Sequence, residues 1–362
     1  MCGSTHHAER GTTTTEYALL VAGLVAALLV VTGVMNPALT HLYETVLCRI
    51  AGRCDTTSGE ARVRIQPWDS ADPLVRATWG DMVVMGDSYA SGEGDGAYGV
   101  AGSSPGCHAS ARAGGPTAAR RLGMDQRLYV VACTGAATAS DGGSYRAHHQ
   151  PPQVDALGDR TSLVTLSIGG NDLNWGATIA ACAAAHTSDD VVGAIPRAAL
   201  PERLRPATRT CADAFDTTVS DAISALGPRL DRTYAAVRDR APRARVLVTG
   251  YPRFFPTVPT HELMADGKVL VATPAEQAWM NRKTADANRA IAEAAARAGF
   301  EFVDVEDAFD GHELTTDSPW MFGADLSLGV PPRESHDFHP SETGQARLGA
   351  LIEQHVRNPT NS

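Results

Sequence analysis

Four short polar clusters hold the residue types that chemistry at a carbonyl needs. Gly86-Asp87-Ser88 follows the apolar run 82–85, Thr134-Gly135 follows 128–132, and Gly169-Gly170-Asn171-Asp172 follows 163–168. The fourth, Asp337-Phe338-His339-Pro340, lies near the C-terminus. Together they offer a hydroxyl, an imidazole, a neutral side-chain amide and glycines whose backbone a ligand can approach closely. Attack on an ester carbonyl asks for such a set: a nucleophile, a proton acceptor, and donors for the developing oxyanion. Any one cluster is weak evidence, because a Gly-Asp-Ser turn is usually only a turn and a lone histidine is usually structural. Four in this order are hard to explain as turns alone.

The elements before the clusters must position them. The runs 82–85, 128–132, 163–168, 246–248 and 302–305 are short and rich in Val, as strands covered on both faces are. Helical stretches lie between them. The clearest is 273–298, opened by the capping box Thr273-Pro274-Ala275-Glu276 and stopped by Gly299. This alternation predicts an α/β domain with a mainly parallel sheet and helices on both faces. Ligands of such sheets bind beyond the carboxyl ends of the strands, where the first three clusters fall. The stretch 174–242 is mostly helical and long for a single crossover, so it reads as a helical excursion beside the substrate entrance.

In this order the clusters resemble the blocks of the SGNH (GDSL-like) hydrolases, over about residues 81–356. Gly86-Asp87-Ser88, Gly135, the Gly-x-Asn-Asp of 169–172 and His339 match. So do VMGDSYASGEG (84–94), ACTGA (132–136), GYPR (250–253) and FVDVEDAFDGH (302–312), which look like the disulfide-bearing bacterial esterase/lipase branch. The resemblance implies a three-layer, flavodoxin-like hydrolase domain and a serine esterase that uses neither cofactor nor metal. Ser88 would attack the ester and His339 would take its proton. The main-chain N–H groups of Ser88 and Gly135 and the amide of Asn171 would hold the oxyanion, while Asp172 braces its loop. The family often has Asp three residues before the histidine, but His336 stands there, and Asp337 is only two before. Two candidates for orienting the imidazole stay open: the Asp337 carboxylate, or a main-chain carbonyl near His336, as in some disulfide-bearing relatives. The resemblance also implies the disulfide Cys107–Cys133. Cys182–Cys211, pinning the excursion, and Cys48–Cys54 complete the expected pairing. Many relatives carry a further cysteine directly after a Gly-His-Glu-Leu stretch; here Thr315 takes its place, so 251–320 is expected to be looser.

Length and composition agree with a large domain plus an appendage, since the chain has 362 residues. Acidic residues outnumber basic ones, 41 to 31, which argues against non-specific nucleic-acid binding. None of the seven cysteines forms a Cys-x-x-Cys pair, so disulfides in an oxidising compartment suit them better than zinc. The appendage contains 17 uncharged residues, 18–34, about 25 Å as a helix and apolar on every face. That approaches the roughly 20 residues of a membrane span. Gly11-Thr12-Thr-Thr-Thr-Glu16-Tyr17 ahead of this run resembles the start of Flp-type pilins. The likeness implies a prepilin peptidase cut between Gly11 and Thr12, loss of Cys2 with the leader, and assembly with other pilin subunits through Glu16. An amphipathic helix would follow over 37–50. The expected organisation is therefore 1–54 pilin-like, 55–75 linker and 76–358 hydrolase, with the catalytic domain outside the cytoplasm on a membrane or pilus.

Three other features need weighing. The Gly94–Gly99 stretch fits a G-x-G-x-x-G pattern, yet starts eight residues beyond Gly86, too far for a dinucleotide-binding turn. It reads as a loop beside the active site. His336 with His339, or His148 with His149, lacks a third metal ligand. Two other functions share the sequence evidence: a non-catalytic, adhesive pilin subunit that binds glycan or lipid, and a carbohydrate deacetylase with the same mechanism.

Overall fold

The Val-rich runs do become strands. The computed structural model describes residues 66–100, 103–138, 150–176, 178, 182, 210–259, 261–265, 269–323 and 336–359. In chain order these form α1 (Pro73–Thr78), β1 (Asp81–Gly86), α2 (Ser88–Ser91), α3 (Gly114–Leu122), β2 (Leu128–Val130) and β3 (Thr161–Ser167). There follow α4 (Cys211–Arg240), β4 (Arg245–Thr249), the strands β5 (Leu263–Ala265) and β6 (Val269–Ala272), α5 (Pro274–Arg297), β7 (Glu301–Val303) and α6 (Glu342–Arg357). Five strands form one parallel sheet in the order β2-β1-β3-β4-β7, and β5 pairs antiparallel with β6 apart from it.

Alternation along β1 shows the layering. Met82 and Val84 join a core with Ala118 and Ala119 of α3 and Leu348 and Ile352 of α6. Val83 and Met85 point the other way, into a core with Leu226, Leu230 and Tyr234 of α4 and Ile291 of α5. Successive strand residues face opposite sides, so a strand buried on both needs to be apolar throughout. Helix α5 begins as its sequence implies: Thr273 and Glu276 form a complete capping box. The order of connection reverses at β1, which makes its carboxyl end the switch point of the sheet.

Contacts within the chain divide it into residues 1–66 and 67–362. That division falls inside the expected 55–75 linker, but the end of this stretch is helical. Asp72 caps α1 through its side chain and Pro73 opens it, a helix start within the expected linker. Gly11, Thr12, Glu16, the apolar run 18–34, Cys48 and Cys54 lie outside the described residues. No helix among the described residues is long and apolar enough to cross a membrane.

Candidate active site

Ser88 owes its place to the end of β1. Gly86 has φ of +126°, and a Cβ there would lie 2.0 Å from the Ser167 carbonyl oxygen, so only glycine lets β1 approach β3 this closely. The Gln153 side chain closes both polar groups of Gly86, accepting from its N–H at 2.7 Å and donating to its carbonyl at 2.9 Å. Asp87 then caps the single turn α2 by accepting the Tyr89 N–H at 3.0 Å. Ser88 is the first residue of that turn and is buried.

His339 meets Ser88 directly: Nε2 lies 2.7 Å from Oγ. Its Nδ1 lies 3.0 Å from the main-chain oxygen of Asp337, so the ring proton sits on Nδ1 and Nε2 is left to accept. Of the two orienting groups left open by the sequence, a carbonyl is the one that meets the imidazole: Asp337 reaches it through its backbone oxygen. The backbone is held for this. Phe338 adopts φ of +62°, its N–H donates to the Phe322 carbonyl, and the Phe322 N–H donates back to the His339 carbonyl. Burial pushes the His339 pKa down, against the charge of Glu93 and the carbonyl contacts of Asp337 and His336. A depressed value keeps the imidazole neutral and able to act as a base near neutrality.

The segments of Gly135 and Asn171 are bonded to each other, through Ala136. Backbone bonds from Cys133 to Gly86 and from Thr134 to Cys107 draw the second cluster toward the first. The disulfide Cys107–Cys133 holds the same two segments covalently. Gly135 has φ of +76°, and neither its N–H nor that of Ser88 meets an acceptor among the described residues. The Asn171 amide gives one hydrogen to the Ala136 carbonyl at 2.8 Å, and its second meets no acceptor among the described residues. Asp172 braces its loop, accepting from the N–H and hydroxyl of Thr138 and from Arg229. Cys182 is also disulfide-bonded, while the side chain of Cys211, its expected partner, lies outside the described residues. Within the stretch 251–320, expected to be looser, Arg253 gathers Asp307, Asp310 and Glu313.

Three residues of the site were not singled out by spacing. Gln153 is one. Tyr89 donates to the Phe338 carbonyl at 2.5 Å, and its ring centre lies 5.2 Å from that of His339. Tyr251 donates to Asp87 at 2.5 Å and accepts the Gly170 N–H at 2.8 Å. Both tyrosines stand in stretches that carry the family likeness, which was the only signal for them. Burial pushes the Asp87 pKa up to about 7, opposed by the bonds from Tyr251 and Tyr89 and assisted by the charge of Asp172.

A buried serine paired with a neutral histidine, beyond the carboxyl ends of a parallel sheet, marks a serine ester hydrolase. The chain belongs to the GDSL-like Lipase/Acylhydrolase family, whose profile matches residues 84–347. It is 30% identical to Lipase 1 of Streptomyces coelicolor over 265 residues, 73% of this chain and 82% of that one. It is also 30% identical to the lipase of Streptomyces rimosus over 275 residues, 76% of this chain and 85% of that one. Among solved structures, it resembles the extracellular lipase from Streptomyces rimosus (TM-score 0.56, 27% identity, 77% and 100% of the two chains covered). It is similar as well to phospholipase A1 from Streptomyces albidoflavus (TM-score 0.57, 28% identity, 77% and 99% covered).

Proposed function

We propose that the chain hydrolyses carboxylic esters of lipids through an acyl-enzyme on Ser88. The 2.7 Å contact between Ser88 Oγ and His339 Nε2 carries this reading. Oγ attacks the ester carbonyl carbon as its proton passes to Nε2. The imidazolium so formed keeps its Nδ1–H on the Asp337 carbonyl, a neutral acceptor that orients the ring without a third ionised group. The oxyanion is held by the N–H groups of Ser88 and Gly135 and the Asn171 amide. Collapse breaks the ester C–O bond, and the leaving alcohol takes the proton from Nε2. Water then attacks the acyl carbon with His339 as base, the acid departs, and Ser88 regains its proton. The lipid substrate class rests on the relatives, which are lipases and a phospholipase A1. The disulfide and the extracellular relative support a place outside the cytoplasm. Tethering at a membrane or pilus rests on residues 1–54 alone: the uncharged run 18–34 and the Gly11, Glu16, Tyr17 spacing.

The test is Ser88→Ala. A fluorophosphonate should label the native chain and leave the variant unlabelled, and the variant should lose ester hydrolysis while melting as the native chain does. Substantial turnover by a folded Ser88→Ala would sink the mechanism.

A further inference from the structure

Tyr251 is buried at the site, and the chemistry above gives it no task. A buried phenol needs partners for its hydroxyl, and this one has Asp87 and Gly170, with the Ser167 hydroxyl beside them. Its O–H donates to Oδ2 of Asp87, while its oxygen accepts the Gly170 N–H. The other Asp87 oxygen, Oδ1, caps the turn that carries Ser88. Gly170 directly precedes Asn171. One phenol oxygen therefore links the loop of the nucleophile to the loop of the side-chain oxyanion donor. The ring also meets Tyr89 edge-on, with centres 5.1 Å apart, and Tyr89 bonds the residue before His339. The loops after β1 and β3 and the segment before α6 are thus tied through two tyrosines.

We propose that Tyr251 is a positioning residue for acyl transfer: its hydroxyl, aimed by the Asp87 carboxylate, sets Asn171 in place relative to Ser88. The proposal rests on the Ser88 reading and extends it.

Hydrogen-bond accounting explains why the carboxylate must be ionised. A phenol has one proton to give. While Asp87 is ionised, both its oxygens accept, the phenol O–H points at Oδ2, and a lone pair remains for Gly170. A protonated Asp87 must donate from one oxygen. At Oδ1 its proton would face the Tyr89 N–H, itself a donor, and the cap of the Ser88 turn would break. At Oδ2 it would reverse the bond, so that the Tyr251 oxygen accepts from both Asp87 and Gly170 and the phenol proton turns away toward Ser167. Either way the arrangement that aims the phenol at Asp87 is lost. The groups that bear on Asp87 are Tyr251 from the loop after β4, the Tyr89 and Ala90 N–H groups from its own turn, and Asp172 from the loop after β3. Burial holds its pKa near 7, and the Tyr251 bond pulls it down. The link should therefore be lost as pH falls through about 7, and removing the hydroxyl should move that point upward. A small misplacement of an oxyanion donor is enough to cost turnover.

The experiment measures kcat and KM of the full chain on a soluble ester from about pH 5 to 9, with thermal melts alongside. Tyr251→Phe should lose about 10–100-fold in kcat with KM within about twofold. Its acid limb should lie about one pH unit above the native one. An unmoved limb, whatever the kcat, overturns the proposal, because loss of packing alone would not shift it. Ser88→Ala, run in parallel, separates the two readings: if it is inactive, a failure at Tyr251 leaves the Ser88 mechanism standing, and if it is active the mechanism falls first. If Tyr251→Phe does not fold, Asp87→Asn decides. Its amide nitrogen cannot accept and so mimics the protonated acid; a kcat loss of about 10–100-fold with the limb near pH 7 gone supports the proposal, and native kcat overturns it.

Discussion

His339 uses its two ring nitrogens differently, and the difference decides what a neighbouring substitution does. Nε2 faces Ser88 and Nδ1 gives its proton to a main-chain oxygen. Asp337→Asn leaves that oxygen in place, so kcat/KM should fall no more than a few-fold. A loss of about 10⁴-fold, the cost when a triad carboxylate is neutralised, would instead assign the orienting role to the Asp337 side chain. Steady-state kinetics on one soluble ester distinguish the two. Ser88 and His339 were legible in the sequence because a hydroxyl and an imidazole are chemical identities that stand at fixed places in ordered clusters. The orienting carbonyl entered only through the resemblance, as one of two candidates, since every residue type supplies the same main-chain oxygen. Its presence depends on the left-handed turn at Phe338, and phenylalanine is a residue that rarely signals such a turn.

Strands and helices were legible where burial on both faces leaves a continuous apolar run, or where a cap marks an end. The run 128–132 reads as one strand, yet β2 stops at Val130. The N–H groups of Val131 and Ala132 both donate to the Val84 carbonyl, so the ladder ends and the chain turns toward Gly135. Composition shows no sign of that break. The Gly94–Gly99 loop is another case. Its glycines at 94, 96 and 99 all have positive φ, and a Cβ on Gly94 would meet His336 and Phe322, so the loop packs on the histidine segment. Within it Asp95 is buried, and its carboxylate oxygens have no hydrogen-bond partner among the described residues. Burial pushes its pKa up to about 7, helped by Glu342 and opposed by Arg112. A raised carboxyl pKa means that the folded state holds the proton more tightly than the unfolded chain. The group therefore weakens the fold progressively as pH rises from about 4, its unfolded value, and fully above about 7. Asp95→Asn should raise the melting temperature by about 2–4 °C at pH 8 and hardly at all near pH 4. Equal gains at both values would assign the effect to packing and not to charge.

At the scale of the whole chain, the residues of the site come from one compact unit. Ser88, Gly135, Asn171, Tyr251 and His339 all lie within residues 67–362, as do the cores on the two faces of the sheet. The Cys107–Cys133 bridge spans 26 residues, and closing such a loop stabilises a fold by about 3.5 kcal/mol on chain-entropy grounds. A chain beginning at Pro67 should therefore fold alone and hydrolyse a soluble ester with kcat/KM within about twofold of the full chain. Failure to fold would make residues 1–66 part of the domain core. The same pair of chains tests the tether. If the run 18–34 enters a bilayer, the full chain should cosediment with phospholipid vesicles and hydrolyse an ester embedded in them faster than the fragment does. The two should remain equal on the soluble ester, because the tether raises local concentration without touching the site. Equal rates on vesicles and no cosedimentation of the full chain would remove the membrane from the account and leave the hydrolase as it stands.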